Sequence, residues 1–232
     1  VNFLDNLLGN LFKIIYNTID SLGIGSAALS NYAMTLIVMG LIYKLITIPF
    51  TIKNAKNAER QKQLKPELDK LQQKYGYDKQ IYQQKMMEFQ KEHKMMQNTG
   101  AGCLTFIIQM VIIFALYNVI RNPQNYLEGY ENISRSFLWV PDLALADPTG
   151  FALPLINSLS QLGFQYLNRS TMQTAGDAGN SMMTMMYIMP IMFFFIFRNL
   201  PAGLVLYWAT GNVIEIIIRL GAKLFRLGKN RG

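Results

Sequence analysis

Residues 31–52 read NYAMTLIVMGLIYKLITIPFTI, an apolar run interrupted only by Lys44 and Pro49. At 1.5 Å of rise per residue, such a run covers the roughly 30 Å of hydrocarbon in a bilayer, so it predicts a membrane-crossing helix. The composition then reverses. Residues 53–96 hold eleven basic side chains, from Lys53 to Lys94, among six acidic ones. Leu64, Leu68, Leu71 and Tyr75 form one helical stripe, Gly76-Tyr77-Asp78 reads as a turn, and Tyr82, Met86, Phe89, His93 and Met96 form a second stripe. A span running straight into a charged helical hairpin outside the bilayer is the nucleus of the predicted fold, with residues 98–102 as the break that ends it.

Four further apolar runs follow at 101–121, 151–168, 182–198 and 201–220. The third and fourth spans are short. The fifteen apolar residues at 183–197 reach about 22 Å, which predicts local bilayer thinning unless polar flanks extend the helix. At the other end of the chain, Leu4, Leu7, Leu8, Leu11, Phe12, Ile15 and Ile19 lie on one side of a helix over 1–20, with Asp5, Asn6, Asn10, Lys13, Asn17 and Asp20 mostly opposite. That pattern suits a helix lying in the membrane interface, although packing on a protein core would produce it too.

Orientation follows from the basic residues, which concentrate on the cytoplasmic side. Segment 53–96 is therefore cytoplasmic. The C-terminal stretch, with Arg219, Lys223, Arg226, Lys229 and Arg231 and no acid after Glu215, ends in a cytoplasmic tail at 221–232 on the same side, as five spans require. The loop at 122–150 carries Glu128, Glu131, Asp142 and Asp147 against Arg135 and falls outside, with 169–181 as a cytoplasmic loop. Arg121 and Arg198, at outer ends, are mild exceptions. The predicted fold class is an all-α integral membrane protein. It has five transmembrane helices, an extracellular-side amphipathic helix and a cytoplasmic helical hairpin.

The wider composition agrees. Of 232 residues, 51% are hydrophobic and 16% charged, against about 25% charged in soluble domains. Cys103 is the single cysteine and His93 the single histidine, so an internal disulfide and a Cys/His zinc set are excluded. No HExxH, GxSxG, P-loop or GxGxxG pattern occurs, and no cofactor or metal is expected. The chain opens on Val1 rather than Met, as expected after signal-peptide removal or trimming.

Lys44 is the sharpest feature, because a charge at membrane depth costs a few kcal/mol on insertion scales. Two readings stand for it. It snorkels toward the headgroups along its own stem, or it faces a polar cavity and meets a substrate. Polar residues on other spans bear on the choice. Gln109 lies midway along the second span. Asn212 and Glu215 are three apart on the fifth, with Trp208 one turn earlier on the same face. Glu215 falls at about the depth of Lys44, within reach of an ion pair. Each of Gln109 and Asn212 could simply bond helix to helix; with Lys44 they favour a shared groove. Met182, Met183, Met185, Met186, Met189 and Met192 crowd the fourth span. Lipid-facing packing is favoured there over a pliable wall for varied substrates.

Several motifs in order resemble the YidC family of membrane protein insertases over nearly the whole chain. They are Leu45-Ile46-Thr47-Ile48-Pro49-Phe50-Thr51-Ile52-Lys53, Leu64-Lys65-Pro66-Glu67-Leu68 with Leu71-Gln72-Gln73-Lys74-Tyr75, and Ala101-Gly102-Cys103 leading to Ile108-Gln109-Met110. Tyr187-Ile188-Met189-Pro190 follows, then Leu200-Pro201-Ala202-Gly203-Leu204, Leu206-Tyr207-Trp208 and Gly211-Asn212. Lacking a large folded domain between an extra N-terminal helix and the first span, the chain looks like the Gram-positive type. The resemblance implies a hydrophilic groove open to the cytoplasm and to lipid, with a cation, usually arginine, on the first span. Lys44 matches that position and departs from the pattern: it keeps the charge but not the planar fork of arginine. Gln109 and Trp208 also match the groove; Glu215 rests on its position alone.

The function so implied is not enzymatic. It is a membrane protein insertase and chaperone in the bacterial cell membrane, with the N-terminus outside and the C-terminus cytoplasmic. Its groove residues are Lys44, Gln109, Trp208, Asn212 and Glu215, and it uses no cofactor. The expected partners are nascent membrane proteins and the lipid bilayer. The basic hairpin and tail also suit a ribosome, although basic tails beside membranes more often bind anionic lipid. The Sec translocon is left open as a partner, and no DNA partner is expected. The alternative is a small-solute transporter or channel, which the lack of an internal repeat and the large charged hairpin disfavour.

Overall fold

The computed structural model describes the backbone over residues 2–93, 95–172 and 177–229, and side chains within these except at 2, 54, 55, 57–59, 61, 62, 95–106, 168–172, 177–186 and 222–229. The helices are α1 (Asn2–Leu22), α2 (Asn31–Tyr75), α3 (Lys79–Glu92), α4 (Met95–Arg121), α5 (Ala152–Met172), α6 (Asp177–Phe197) and α7 (Ala202–Lys229). Strand-like pairing among the described residues is limited to isolated bridges such as Leu29 with Phe137.

Helix boundaries differ from the sequence expectation. The apolar 31–52 segment and the first arm of the charged 53–96 segment are one continuous helix, α2, which passes through Pro49 and Pro66. The switch from apolar to basic residues changes what surrounds a helix without changing its period, and proline can kink a helix rather than end it. Likewise α4 starts at Met95 and runs straight through 98–102, the expected break. A mid-helix glycine costs only about 1 kcal/mol, which a long helix absorbs. α5 and α6 are each 21 residues long, or about 31 Å, because polar flanks continue both helices. The expected bilayer thinning therefore has no basis in helix length. These two helices also take up both sides of the predicted 169–181 loop, whose positions 173–176 lie outside the described residues. α7 continues to Lys229, so most of the predicted tail is helical.

Two described stretches are long and apolar enough to cross a membrane, Asn31–Lys53 and Ala202–Gly221; Ile107–Arg121 and Tyr187–Phe197 are shorter apolar pieces. Undescribed side chains adjoin both shorter pieces, at 101–106 and 182–186. α5 is less apolar because it carries Asn157, Ser158, Ser160, Gln161 and Gln165.

The chain divides into two compact units. One comprises Val1–Ile46, Met110–Phe164 and Met189–Gly232, the other Thr47–Gln109 and Gln165–Ile188. In the second unit, Leu68 and Phe89 are buried, with Leu64, Leu71 and Met86 packed around them. Asp78 caps α3, accepting from the amides of Gln80 at 2.8 Å and Ile81 at 3.1 Å.

The first unit has an inverted surface. Phe114, Ile191 and Ile217 are 66%, 58% and 62% exposed, while Asn157 and Glu215 are 0% and 4% exposed. Exposed large apolar side chains around buried polar ones are what a lipid solvent selects. Its apolar core lies at the end bearing loop 122–150. Phe12 and Ile19 of α1, Tyr32 and Leu36 of α2, Leu116 and Ile120 of α4, Leu153 of α5 and Leu204 of α7 are all buried there, with Leu143 of the loop. The rings of Phe12 and Tyr32 stand 5.0 Å apart. α1 is thus packed on protein through Phe12, Ile15 and Ile19, while Phe3, Leu7 and Ile14 stay exposed. Gly9 gives way to the ring of Tyr126, which occupies the place of a Cβ.

The loop closes this end by hydrogen bonding. The amides of Ala202 and Gly203, at the start of α7, donate to the carbonyls of Leu145 and Leu143 at 2.7 and 2.8 Å, satisfying donors that a helix N-terminus leaves open. Arg135 pairs with Asp142 at 2.7 Å. Buried Asp147 organises the entry to α5. It accepts from the amides of Leu153 (2.7 Å) and Thr149 (2.9 Å), the Thr149 hydroxyl (2.8 Å) and the Trp139 indole (3.2 Å). Burial alone pushes its carboxyl up, and these four donors outweigh burial, holding it below the usual carboxylate range.

A group with a lowered folded pKa stabilises above its unfolded pKa, about 3.9 for Asp, and that stability is lost as pH falls through the folded value. Asp147→Asn should lower stability at neutral pH by about 1–3 kcal/mol. It should also blunt the wild type's loss of stability below about pH 4. Thermal unfolding in detergent from pH 3 to 7 measures both.

Candidate functional site

Beyond the apolar core, the first unit brings charged and polar side chains of α2, α5 and α7 together. On α7, Trp208, Gly211, Asn212, Glu215 and Arg219 recur at helical spacing along one face. α2 approaches α7 closely through glycines. A Cβ on Gly40 would stand 3.3 Å from the carbonyl oxygen of Tyr207, and one on Gly211 would stand 3.2 Å from Cε of Lys44. The aliphatic stem of Lys44 therefore crosses α7 where a side chain is missing. Its Nζ then reaches Oε2 of Glu215 at 3.4 Å, the pairing that equal depth predicts.

Glu215 has a second partner that depth and spacing had not singled out. Arg219, one turn on, donates through Nε to Oε1 at 3.0 Å, and its guanidinium lies 5.3 Å from the centroid of the Phe164 ring. Sequence reading grouped Arg219 with the basic tail. The i, i+4 spacing to Glu215 was the signal that could have separated it.

The polar face of α5 is the larger omission. Asn212 Nδ2 donates to Ser160 Oγ at 3.2 Å and lies 3.4 Å from Asn157 Oδ1. Ser158 donates to the carbonyl of Pro190 at 3.0 Å. Gln161 is buried beside them, and its Oε1 and the Nδ2 of Asn157 have no protein hydrogen-bond partner among the described residues. Buried polar atoms of this kind call for water or a polar ligand. The spacing of Asn157 and Gln161, four apart in an apolar run, was readable from the sequence as a helix-facing stripe.

Two expected site residues take no part in the hydrogen bonds described above. Trp208 is half-buried, with its ring 5.0 Å from that of Phe193 and 5.1 Å from that of Phe197. Gln109 is half-buried and belongs to the other unit. Of the methionines, Met182, Met183, Met185 and Met186 have side chains outside the described residues; Met189 packs against the apolar core and Met192 is exposed. Among the described residues, no three His, Cys, Asp or Glu side chains group as metal ligands.

The arrangement gathers two cations, a carboxylate and several amide groups inside a bundle with an apolar surface.

Comparison with known proteins is consistent along the chain. The family model described as "60Kd inner membrane protein" matches residues 24–225. A membrane protein insertase YidC of Fusobacterium nucleatum is 35% identical over 218 residues, covering 94% of this chain and 95% of that relative. One from Clostridium perfringens is 34% identical over 215 residues, covering 91% and 86%. One from Treponema denticola is 31% identical over 204 residues, but there the chain spans 34% of the relative's length. Among solved structures, "Active YidC insertase crystal structure with the first transmembrane domain resolved" superposes with a TM-score of 0.61 at 26% identity, over 81% of this chain and 41% of that one.

The crossing at Gly211 is testable. Gly211→Ala should be nearly neutral, since a helix gain of about 0.5–1 kcal/mol offsets the crowding of Lys44. Gly211→Leu should cost about 1–3 kcal/mol by displacing the lysine stem. Unfolding midpoints of the purified variants in detergent distinguish the two.

Proposed function

The chain belongs to the 60 kDa inner membrane protein family, that of the YidC insertases, and from that premise we propose that it is a membrane protein insertase and chaperone of the bacterial cell membrane. α2 up to Lys53, α4, α5, α6 and α7 are its five spans. The N-terminus is outside and the C-terminus cytoplasmic, on the strength of the basic 53–96 segment and tail. The C-terminal part of α2 and α3 form the cytoplasmic hairpin.

One observation carries this reading. Lys44, Asn157, Gln161, Asn212 and Glu215 are held inside a bundle whose surface is apolar, with the apolar core at the opposite end. That combination suits a hydrophilic groove that is open to the cytoplasm, closed outside, and reachable from lipid. A polar segment that must cross the bilayer would meet amides and cations there instead of hydrocarbon. Lys44 attracts acidic residues in that segment. Asn212 and the polar face of α5 accept its backbone groups, and Trp208 offers an aromatic surface. Gln109 stays a substrate contact on its sequence position alone. The substrate's apolar helix then leaves sideways, driven by burial of apolar surface in lipid at roughly 25 cal/mol per Å².

Nascent membrane proteins are the partners this mechanism requires. The basic hairpin and tail would meet anionic lipid and the ribosome, and the Sec translocon is a further candidate neighbour. No bond is made or broken, so hydrophobic partitioning and the membrane potential drive the process.

The test is insertion, in proteoliposomes, of a single-span protein whose short translocated tail carries one acid. Lys44→Arg should insert like the wild type, whereas Lys44→Ala and Lys44→Glu should lose most insertion at matched protein levels. Equal insertion by all four proteins would remove the charged groove from the mechanism.

A further inference from the structure

We propose that Glu215 is a built-in stand-in for the substrate's carboxylate. It holds Lys44 while the groove is empty, and it is displaced from Lys44 by an incoming acid, so that it sets the groove's selectivity for acidic segments. The proposal rests on the insertase reading above.

Charge count is the first support. The ion pairs described around Glu215 contain two cations, Lys44 and Arg219, and one carboxylate. Their side chains are 19%, 25% and 6% exposed respectively, so a carboxylate arriving there meets two cations largely shielded from water.

The unequal contacts are the second support. Arg219 shares a helix with Glu215, contacts it at 3.0 Å and lies over the ring of Phe164. Lys44 comes from another helix on a flexible stem and contacts Glu215 at 3.4 Å. Gly211 leaves the crossing stem only a hydrogen to slide past. Lys44 is therefore the partner that can leave. When it does, Arg219 keeps Glu215 paired, so no buried carboxylate is stranded without a cation. Lysine suits the exchange, because its three rotatable donors grip no fixed plane. Trading one carboxylate for another is close to even in energy, which allows the acid to leave again. Arg219 acts here as a positioning residue, through Glu215.

The test uses two single-span substrates identical except for Asp or Asn in the translocated tail. Their groove occupancy is compared by photocrosslinking in phosphatidylethanolamine/phosphatidylglycerol proteoliposomes. Glu215→Gln should raise the Asp-to-Asn occupancy ratio about three- to fivefold, the scale of one partly solvated ion pair. Arg219→Gln should lower that ratio, because Glu215 is then committed to Lys44. Should Glu215→Gln fail to fold, the Arg219→Gln ratio decides by itself. A ratio unmoved in the variants that fold overturns the proposal, as does a ratio that falls in Glu215→Gln. If Lys44→Ala retains wild-type insertion, the groove reading itself fails. If Lys44 is needed and the ratio does not move, only the role of Glu215 does.

Discussion

A carboxylate held between two cations, inside helices whose outer faces are apolar, is the constraint on which the rest of the first unit depends. Lys44 on an apolar span is costly by itself, and Glu215 is its described acidic partner. For that contact to form, α2 and α7 must come close. Gly40 and Gly211 allow this, one facing the backbone at Tyr207 and the other the lysine stem. With the charges turned inward, Asn212 follows on the same face of α7 and finds Ser160 on α5. Side chains such as Phe114, Ile191 and Ile217 are left outward. Polarity inside and grease outside is thus one decision, taken at Lys44 and Glu215 and carried around the helices by their 3.6-residue period.

The same unit solves the opposite problem at its other end. Phe12, Tyr32, Leu36, Leu116, Leu143 and Leu204 pack as densely apolar neighbours would in a soluble domain. The loop there does not rely on apolar contact alone. Asp147 spends its carboxylate on four donors, and the carbonyls of Leu143 and Leu145 meet the first amides of α7. A polar interior therefore stops at an apolar wall backed by a hydrogen-bonded cap. That asymmetry is what the proposed groove requires and a pore would not.

Much of this was legible in the sequence, and the misses have physical causes. Hydropathy marked the apolar runs, because a bilayer imposes a length on them. Depth put Glu215 within reach of Lys44, since both positions are countable along their helices; the pairing itself came from the structure. Helix ends were harder. Pro49, the charge switch at Lys53 and the glycines near 100 look like punctuation, yet α2 and α4 run through them. Local composition reports solvent as much as conformation. Arg219 was hidden by its basic neighbours. Asn157 and Gln161 were passed over, although their four-residue spacing marks one helix face, because a few amides in an apolar run suggest only a weak span. Trp208 shares the face of Asn212 but packs on Phe193 and Phe197, a preference set by a neighbouring helix that the spacing on α7 does not reveal.

The contact between Lys44 and Glu215 joins residues 171 positions apart in the chain. A ribosome makes the first of these long before the second, and domains complete themselves in roughly that order. During that interval Lys44 is without Glu215, the carboxylate it contacts at 3.4 Å in the folded chain, and the loop carbonyls that cap α7 have no α7. The arrival of α7 therefore brings Glu215 to Lys44 and seals the loop end together. Biogenesis therefore passes through a stage in which Lys44 is already made while the carboxylate it contacts in the folded chain is still to arrive on a later segment. That stage has the same chemistry as the task proposed for the finished protein.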